Sequence, residues 1–565
     1  MSGRHRTYGP TGRGRRRAPW AVGAIVTIIA LTVVTVRIVA AGAAGCSGSI
    51  PLRVVATPEI APVLADVGSA WMATRPQVSG KCINLTVDGA QSPSIASGLT
   101  VYAGSAIDVA AAPEPTPSED LIPTVWVPDS TAWLTRVQVV DGSAFDADVR
   151  SIASSPVVVA MPEAAAKLVG WPSGRLQVAA VKALLGQGGP LKLGIAEPRR
   201  ETASLAATMV LGEALATTDE DLPALVKTFR SVVKTPSTTD LLRTFGAKVN
   251  AGPASEQAVL AYNATNPPIK LVAVQLDPAA PQLDYPYAIR SGVSRETAQA
   301  AQLFRAAALD RPAADQLARN AFRSPDGRVG AGFPSTTATS RDPFVGANVD
   351  DSERVQRALG LWSAANSPSR TLALFDITSS MGTVMQTAGG AATRSDVMAG
   401  AARGGLELFT ADSRVGMWAF ASQHLEVLPI DDLTPGRKQE FDQRMAGARP
   451  TGTNQSELYA TLLAAYKVMK DGYDPTRPNI IVVLTDGGDS NGSSLRREQF
   501  NQELQKLADP TKPIRVVLIG IGVGQADAAN LQGIAEIVGG GFFPLTSPEQ
   551  IQTIFLKALL RVGAA

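Results

Sequence analysis

Three short segments of the chain place carboxylates or hydroxyls where apolar runs end. Asp376, Thr378 and Ser380 alternate after one apolar run, Thr453 precedes a helical pattern, and Asp486 follows another apolar run. Mg²⁺ takes about six hard oxygen ligands near 2.1 Å and readily keeps bound water. Two carboxylates and three hydroxyls are such ligands, and they leave part of the ion's charge uncompensated. The residue types predict a site for Mg²⁺, with Mn²⁺ or Ca²⁺ as alternatives.

The elements around these segments form a repeating strand–helix pattern. Apolar runs predict strands at 371–376, 415–421, 479–485 and 514–521. Helical spacing of apolar residues predicts helices at 394–410, 435–446, 456–470, 495–507 and 526–538. Sequential βα units predict a Rossmann-like, doubly wound sheet over residues 369–565, with its ligand at the carboxyl ends of the strands. The candidate ligands lie at such ends.

These motifs resemble the metal-ion-dependent adhesion site of von Willebrand factor A (VWFA) domains. That family uses an Asp-x-Ser-x-Ser loop, a distant Thr and a distant Asp. The matching residues here are Asp376, Thr378, Ser380, Thr453 and Asp486. The resemblance implies a bound Mg²⁺ that holds an Asp or Glu of a protein partner. Ser379 departs from the usual Gly, which would carry a cost if that residue needed a positive φ. A degenerate scaffold without metal is the alternative.

An earlier α/β pattern occupies residues 46–340. Strands are predicted at 52–56, 82–87, 107–111, 157–160, 191–195 and 269–274. Helices are predicted at 59–73, 205–216 and 296–308. The alternation favours a mostly parallel sheet. Residues 341–368 are predicted to be a linker between the two α/β units.

Residues 46–340 resemble periplasmic solute-binding proteins of the molybdate-binding-like class. The segments that carry the resemblance are 54–64, 195–198, 284–287 and 321–327. The resemblance implies a two-lobed α/β domain with a ligand cleft, in which hydroxyls and amides at helix N-termini bind a small anionic solute. By position, the candidate ligand-binding residues are Thr57, Ser92, Ser94 and Ser204. The alternative is that these side chains only cap helices.

The N-terminus carries a separate signal. The first 37 residues hold seven arginines and no acid, and residues 21–36 are uninterruptedly apolar. We predict a cytoplasmic tail at 1–19 and a transmembrane signal-anchor helix at 20–44. The rest of the chain would then lie outside the cell membrane, which the chain crosses once. A cleaved signal peptide is the alternative.

Cys46 and Cys82 are the only cysteines. In an exported chain they favour one disulfide over two free thiols. The crosslink would close a loop of about 36 residues and contribute roughly 3–4 kcal/mol.

The charge and the histidine content of the chain argue against two classes of function. Beyond the N-terminal arginines the chain is mildly acidic, which argues against nucleic-acid binding. His5 and His424 are the only histidines, so no histidine-based catalytic set is available outside the cell and no enzymatic activity is expected. The sequence predicts a cell-surface binding protein whose partner is an extracellular or cell-envelope protein with an exposed Asp or Glu. The alternatives are an extracellular solute receptor with the VWFA domain as an accessory and, less favoured, a hydrolase.

Overall fold

The computed structural model describes residues 35–37, 45–103, 107, 122–185, 189–246, 248–344, 346–387, 389–487, 495–509, 512–537 and 540–560. The elements form two α/β units joined by a helix.

The first unit contains fourteen short strands in its described residues. They are β1 (Thr35–Arg37), β2 (Ser49–Ala56), β3 (Gln77–Val78), β4 (Lys81–Gly89), β5 (Val125–Val127), β6 (Arg150–Ser151), β7 (Val157–Pro162), β8 (Leu176–Gln177), β9 (Gly194–Ala196), β10 (Val233–Thr235), β11 (Gly252–Ser255), β12 (Leu271–Val274), β13 (Leu276–Asp277) and β14 (Pro286–Ile289). The helices are α1 (Ala61–Ala73), α2 (Ser92–Tyr102), α3 (Thr131–Val140), α4 (Glu163–Lys167), α5 (Val178–Leu185), α6 (Thr202–Leu215), α7 (Leu222–Ser231), α8 (Thr238–Arg243), α9 (Glu256–Ala264), α10 (Arg295–Ala308) and α11 (Arg311–Arg319).

These strands divide into two lobes. The first lobe holds a sheet of order β1-β4-β2-β5-β14-β6, with β3 paired to β4. The second holds a three-stranded sheet, β11-β7-β12, and the parallel pair β9 and β10. The chain crosses between the lobes before β7 and again before β14. At the second crossing Asp284 accepts hydrogen bonds from the backbone N (2.8 Å) and Oγ1 (2.5 Å) of Thr131, which ties the crossing to the start of α3.

The predicted membrane anchor lies mostly outside the described residues. Of residues 20–44 only 35–37 are described, and they form β1, antiparallel to β4, in place of the predicted helix. The edge of β4 offers unpaired backbone groups, which a neighbouring segment satisfies by pairing as a strand. Within the described ranges no helix combines the length and the apolar character that crossing a bilayer requires.

The predicted disulfide is confirmed. Cys46 and Cys82 are bonded, and their Cα atoms lie 5.6 Å apart. Cys82 lies on β4 opposite Ser49, the first residue of β2, so the crosslink fastens the start of the first sheet.

The segment predicted as a linker contains a 15-residue helix, α12 (Ser352–Asn366). The Asp351 side chain caps its N-terminus, and Leu361, Trp362 and Ala365 are buried. The helix packs on α6 and α7 of the first unit. Apolar residues at helical spacing within 341–368 explain the difference, because their burial against both helices favours a fixed bridge over a flexible connection.

The second unit contains β15 (Arg370–Asp376), β16 (Val384–Thr387), β17 (Gly390–Thr393), β18 (Arg414–Phe420), β19 (His424–Asp432), β20 (Asn479–Thr485), β21 (Ile514–Ile521) and β22 (Gly541–Leu545). Its helices are α13 (Arg394–Leu406), α14 (Pro435–Gly447), α15 (Leu458–Asp471), α16 (Arg497–Leu507), α17 (Gln525–Ile537) and α18 (Ile551–Leu560). The sheet order is β19-β18-β15-β20-β21-β22, and only β19 is antiparallel.

The sequence of the central strand β15 accounts for its position in the middle of this sheet. All seven of its residues are buried, as expected for a strand covered by helices on both faces. Leu372 and Leu374 join the apolar core on one face, and Ala373 and Phe375 join the core on the other. The chain continues from β15 to β18 on one side and later to β20 on the other. The strand order therefore reverses beside the carboxyl end of β15, where such sheets bind ligands.

Sequence-based boundaries in this second unit agree with the structure to within a few residues for the parallel strands. The hairpin of β16 and β17 and the edge strand β19 were not predicted. In the first unit the strand predicted at 191–195 is β9 at 194–196. The strand predicted at 107–111 lies outside the described residues except for Ile107, which is not in a strand.

A buried ion pair holds the C-terminal segment of the first unit in place. Arg323 and Glu256 have 0% and 1% exposed side chains, and Arg323 Nε lies 2.6 Å from Glu256 Oε2. Arg323 also donates to the carbonyl oxygens of Gly327 (3.0 Å), Ser340 (2.7 Å) and Asp342 (2.7 Å). The segment after α11 is therefore held by a charge that has no access to solvent.

We predict that Arg323→Met lowers the free energy of unfolding by about 3–5 kcal/mol, because it leaves the Glu256 carboxylate buried without its partner. Urea-induced unfolding measures the change. Arg328→Met is the matched control, since Arg328 forms an exposed pair with Asp326 and its loss costs about 1 kcal/mol or less. Equal destabilisation by the two variants would contradict the assigned role of the buried pair.

Candidate functional site

The Asp376 carboxylate lies at the carboxyl end of β15 and is 1% exposed. Its Oδ1 accepts hydrogen bonds from the backbone N (2.9 Å) and Oγ1 (2.7 Å) of Thr378. Its Oδ2 accepts from Thr485 Oγ1 at 2.6 Å, across from the end of β20. Strand pairing and these bonds fix the carboxylate in one orientation.

A chain of oxygen atoms leads from Asp376 to Asp486. Thr378 Oγ1 lies 2.9 Å from Ser380 Oγ, which donates to Asp486 Oδ1 at 3.0 Å. Neighbouring ligands of an octahedral Mg²⁺, each about 2.1 Å from the ion, lie about 3.0 Å apart. Hydrogen bonds of ordinary length account for these spacings, which are also compatible with the edges of a Mg²⁺ coordination shell, and the oxygen chemistry suits a hard cation.

Thr453 lies beside this loop through main-chain contacts. The Ser379 backbone N donates to Thr453 O at 2.8 Å, and the Thr451 N donates to Ile377 O at 2.7 Å. The Thr453 Oγ1 accepts from the Gln455 N at 3.1 Å. The structure thus links four predicted residues by side-chain oxygens and holds the fifth against the same loop by its backbone.

A cationic side chain that the sequence analysis did not identify contacts this site. Arg394, the first residue of α13, places Nη1 2.7 Å from Asp486 Oδ2. Its Nη2 donates to the Gly522 carbonyl at 2.9 Å. Gly522 has φ +61°, and a Cβ there would lie 3.0 Å from Arg394 Nε, so glycine leaves space for the guanidinium. Arg394 compensates one of the two carboxylates from the side of β21.

The charge of the site is otherwise poorly compensated. Burial raises the pKa of Asp376 above its usual range, and the nearby Asp486 carboxylate raises that pKa further. A cation next to both carboxylates would relieve this cost. Among the described residues no three His, Cys, Asp or Glu side chains converge on one metal position, so hydroxyls must complete any ligand set here.

The Ser379 departure carries no backbone strain. Ser379 begins a short 3-10 turn, Ser379–Gly382, and is not among the residues with positive φ. Its hydroxyl donates to Asn454 Oδ1, which adds a contact between the two loops. Thr485 could have been identified because it precedes Asp486. Arg394 could not, because nothing in its local sequence indicates a contact with Asp486.

A cleft between the two lobes of the first unit forms the second candidate site. Its volume is about 1590 Å³. The wall carries the carboxylates of Glu59, Asp129, Glu197, Glu201 and Asp240 and the guanidiniums of Arg200 and Arg243.

The predicted ligand-binding hydroxyls do not form the cleft wall. Thr57, Ser92, Ser94 and Ser204 are absent from its lining, although each adjoins a residue that lines it. Ser92 Oγ donates to Asp129 Oδ1 at 2.9 Å, so it supports a wall residue from behind. The Thr57 and Ser204 hydroxyls are buried without a hydrogen-bond partner. Residues close to the predicted ones line the cavity instead, and they include the acids Glu59 and Glu201.

Two of the cleft acids have strongly shifted pKa values. Burial raises the pKa of Glu59 to about 7, and the Asp129 carboxylate adds to the effect. Burial also raises the pKa of Glu201 to about 7, although Thr238 Oγ1 donates to its Oε2 at 2.6 Å. Burial likewise raises the pKa of Asp129. The three carboxylates face one another across the cleft and disfavour full ionisation when it contains no cation.

Comparison with known proteins finds similarity to one uncharacterised protein and to several solved structures. A Mycobacterium tuberculosis protein (strain CDC 1551 / Oshkosh) is 24% identical over 532 residues, which cover 88% of this chain and 74% of that protein. A von Willebrand factor type A structure from Catenulispora acidiphila is 14% identical, with a TM-score of 0.28, and covers 35% of this chain and 43% of its own. The substrate-binding domain of a molybdenum ABC transporter from Clostridium difficile is 12% identical, with a TM-score of 0.31. The match covers 49% of this chain and 99% of that domain.

Family models match the two units separately. The bacterial extracellular solute-binding protein model matches residues 52–323, and the von Willebrand factor type A domain model matches residues 398–557. The second match includes Thr453 and Asp486 and begins after the 376–380 loop, which the structure joins to the same sheet through β15. The chain therefore carries a bacterial extracellular solute-binding domain followed by a von Willebrand factor type A domain.

Proposed function

We propose that this chain is a cell-surface binding protein that uses a divalent cation in its VWFA domain to bind an acidic group of a protein partner. The observation that carries the proposal is the continuous set of side-chain oxygens from Asp376 through Thr378 and Ser380 to Asp486. The ion is Mg²⁺ in this proposal, with Mn²⁺ or Ca²⁺ as substitutes. The partner is an extracellular or cell-envelope protein with an exposed Asp or Glu.

Each residue has a distinct task in this proposal. Asp376, Thr378, Ser380, Thr453 and Asp486 would hold the ion. Thr485 orients the Asp376 carboxylate, and Arg394 orients Asp486. When bound, the cation supplies a positive centre with coordination positions open to an external carboxylate. Three of the five ligands are neutral hydroxyls, and Arg394 offsets the charge of Asp486. The ligand set therefore does not fully neutralise a divalent ion, which keeps positive charge for that carboxylate.

We further propose that the chain is held in the cell membrane by the part of residues 20–44 that precedes β1, with its N-terminus cytoplasmic and both folded domains outside. The support is the basic, then apolar, N-terminal sequence. The Cys46–Cys82 disulfide adds support, since disulfides persist mainly in oxidising compartments.

A binding role is favoured over catalysis. His424 lies on the exposed edge strand β19 and stacks on the Trp418 ring, with centroids 4.8 Å apart. His424 pairs with Phe420 at the carboxyl end of β18, two strands from Asp376, and its stacked ring belongs to the β18–β19 edge of the sheet. The oxygens at the metal site are engaged with one another and with Arg394, an arrangement suited to holding an ion.

Solute binding by the first domain is a second candidate function. It is supported by the size of the cleft and by the match to extracellular solute-binding proteins. The two functions are compatible, because they use different domains.

We predict that Mg²⁺ binds the full chain and that Asp376→Asn abolishes this binding. Asn keeps the shape of the side chain but removes the charge that would attract the ion. At a Mg²⁺ concentration about 100 times Kd, binding should stabilise the wild type by about 2.7 kcal/mol. Calorimetric titration and thermal unfolding with Mg²⁺ or EDTA measure both effects.

The matched control is Asp432→Asn, which removes an equal charge from the exposed strand β19. It should bind Mg²⁺ like the wild type. Equal Mg²⁺ heats for the wild type and Asp376→Asn would exclude the proposed site.

We predict that capture of a cell-envelope partner requires both Mg²⁺ and the ionised Asp376. Immobilised wild-type chain should retain the partner in Mg²⁺ and release it in EDTA, because the ion joins the two proteins. Asp376→Asn should retain none, and Asp432→Asn should behave as wild type. A partner that resists EDTA and binds Asp376→Asn equally would disprove a metal-mediated contact.

We predict that Glu201→Gln stabilises the solute-free chain relative to the wild type as pH rises from about 4.5 to about 7. The raised pKa of Glu201 means that the folded chain holds a proton that the unfolded chain has lost, so wild-type stability falls over this window. Below pH 4.5 both states are protonated and the difference should vanish. The difference in Tm between variant and wild type measures it, and a difference that does not change with pH would contradict the shifted pKa.

A further inference from the structure

The cleft of the solute-binding domain carries more negative than positive charge. Five carboxylates and two guanidiniums line it. One of those carboxylates, on Glu197, also forms a 2.8 Å pair with Arg199, and Arg243 lies 3.8 Å from Asp240. The remaining wall acids are Glu59, Asp129 and Glu201, and Arg200 is the cation near Glu201. An oxyanion in this cleft would face three carboxylates.

Those three carboxylates are held in place by neutral donors. Ser92 Oγ donates to Asp129 at 2.9 Å, Thr238 Oγ1 donates to Glu201 at 2.6 Å, and Tyr285 Oη donates to Glu59 at 3.4 Å. Hydroxyl donors orient a carboxylate without neutralising it. Burial disfavours full ionisation of the three acids, and a cationic ligand would favour their charged forms.

A buried hydroxyl adjoins the same wall. The Thr57 side chain, with 3% of the residue exposed, lies close enough to the Glu59 carboxylate to lower that group's pKa. It therefore favours the charged form of Glu59, which a cationic ligand would contact. Thr57 and Glu59 lie at the start of α1, next to Pro58, which lines the cleft.

The rest of the wall distinguishes an organic cation from a metal ion. The wall also includes the apolar side chains of Pro58, Pro93, Pro236, Leu242 and Leu283. Within the described ranges no three acids converge closely enough to hold one metal ion. A volume of about 1590 Å³ also greatly exceeds that of a single ion. Separated carboxylates on a partly apolar wall suit a solute that carries amino or guanidino groups on a hydrocarbon frame.

We propose that the cleft binds a small organic cation with one or more amino or guanidino groups, held by Glu59, Asp129 and Glu201. This replaces the small anion expected from the sequence. It rests on the proposed solute-binding function and is independent of the metal site in the VWFA domain. A bound cation removes the mutual repulsion of the three acids, so ligand binding and relief of the buried charge occur together.

The test is thermal unfolding and calorimetry of the full chain, in EDTA, with putrescine, spermidine, agmatine, choline, molybdate and sulfate as probes. We expect at least one organic cation to raise Tm and bind saturably. Glu59→Gln and Glu201→Gln should each weaken that binding roughly 10- to 100-fold, the usual effect of removing a charged hydrogen-bond partner. Glu163→Gln, at an exposed pair with Lys167 in the same domain, should bind like the wild type.

Other outcomes separate this inference from the functions on which it rests. Stabilisation by molybdate or sulfate alone would overturn the cationic ligand but keep the solute receptor. No response to any organic cation, or a response unchanged in Glu59→Gln and Glu201→Gln, would also overturn it. In a separate titration without EDTA, stabilisation by Mg²⁺ or Ca²⁺ that Glu201→Gln abolishes would assign the cleft to an inorganic ion. Asp376→Asn should leave the response to organic cations unchanged, because that residue lies in the other domain.

Discussion

The VWFA domain depends on burying two carboxylates side by side where two parallel strands end. Asp376 is the last residue of β15 and Asp486 follows β20, and these two strands pair from Arg370 to Phe375. Burial of one carboxylate and the charge of the other are both unfavourable. Hydroxyls of Thr378, Ser380 and Thr485 satisfy the oxygens, and Arg394 compensates part of the charge. Such an arrangement destabilises the fold unless a bound cation compensates the two carboxylates. We therefore assign these residues to cation binding.

The bridge between the domains is the least expected part of the structure. Helix α12 packs on α6 and α7, and it also contacts α18 of the VWFA domain. Trp362 Nε1 donates to Glu197 Oε2 at 3.2 Å, and Glu197 lines the cleft. On the opposite side Arg230 donates to Ala365 O at 2.8 Å and to Glu407 O at 3.0 Å, joining α7, α12 and the end of α13. The cleft and the VWFA domain are therefore connected through one packed helix.

Much of the second domain could be predicted from sequence because its central strands are short, largely apolar and followed by polar motifs. Strand ends at Asp376 and Thr485 were located correctly, and strand pairing then brought distant motifs together. The Arg394 contact could not be predicted, since it depends on the unpredicted hairpin of β16 and β17 that carries the chain into α13. Strand β19 was missed because its exposed, charged residues lack the apolar pattern of the parallel strands.

The first domain shows a different limit. The sequence located α1, α2 and α6 near the cleft through Thr57, Ser92 and Ser204, but not which neighbouring side chains face it. Glu59 and Glu201 adjoin predicted residues, and sequence alone gave no reason to expect acids on a wall assigned to an anion. The direction of a side chain at a helix start depends on backbone angles that a resemblance between families does not fix. The charge of the cleft therefore became evident only from the structure.

The most direct test of the account is an anomalous diffraction measurement on crystals of the chain grown with Mn²⁺, which substitutes for Mg²⁺ and scatters anomalously. The account predicts one strong peak among the side-chain oxygens of Asp376, Thr378 and Ser380, within reach of Thr453 and Asp486. A map with no peak there, or with Mn²⁺ bound only elsewhere, would contradict the claim that these oxygens form a site for one hard cation.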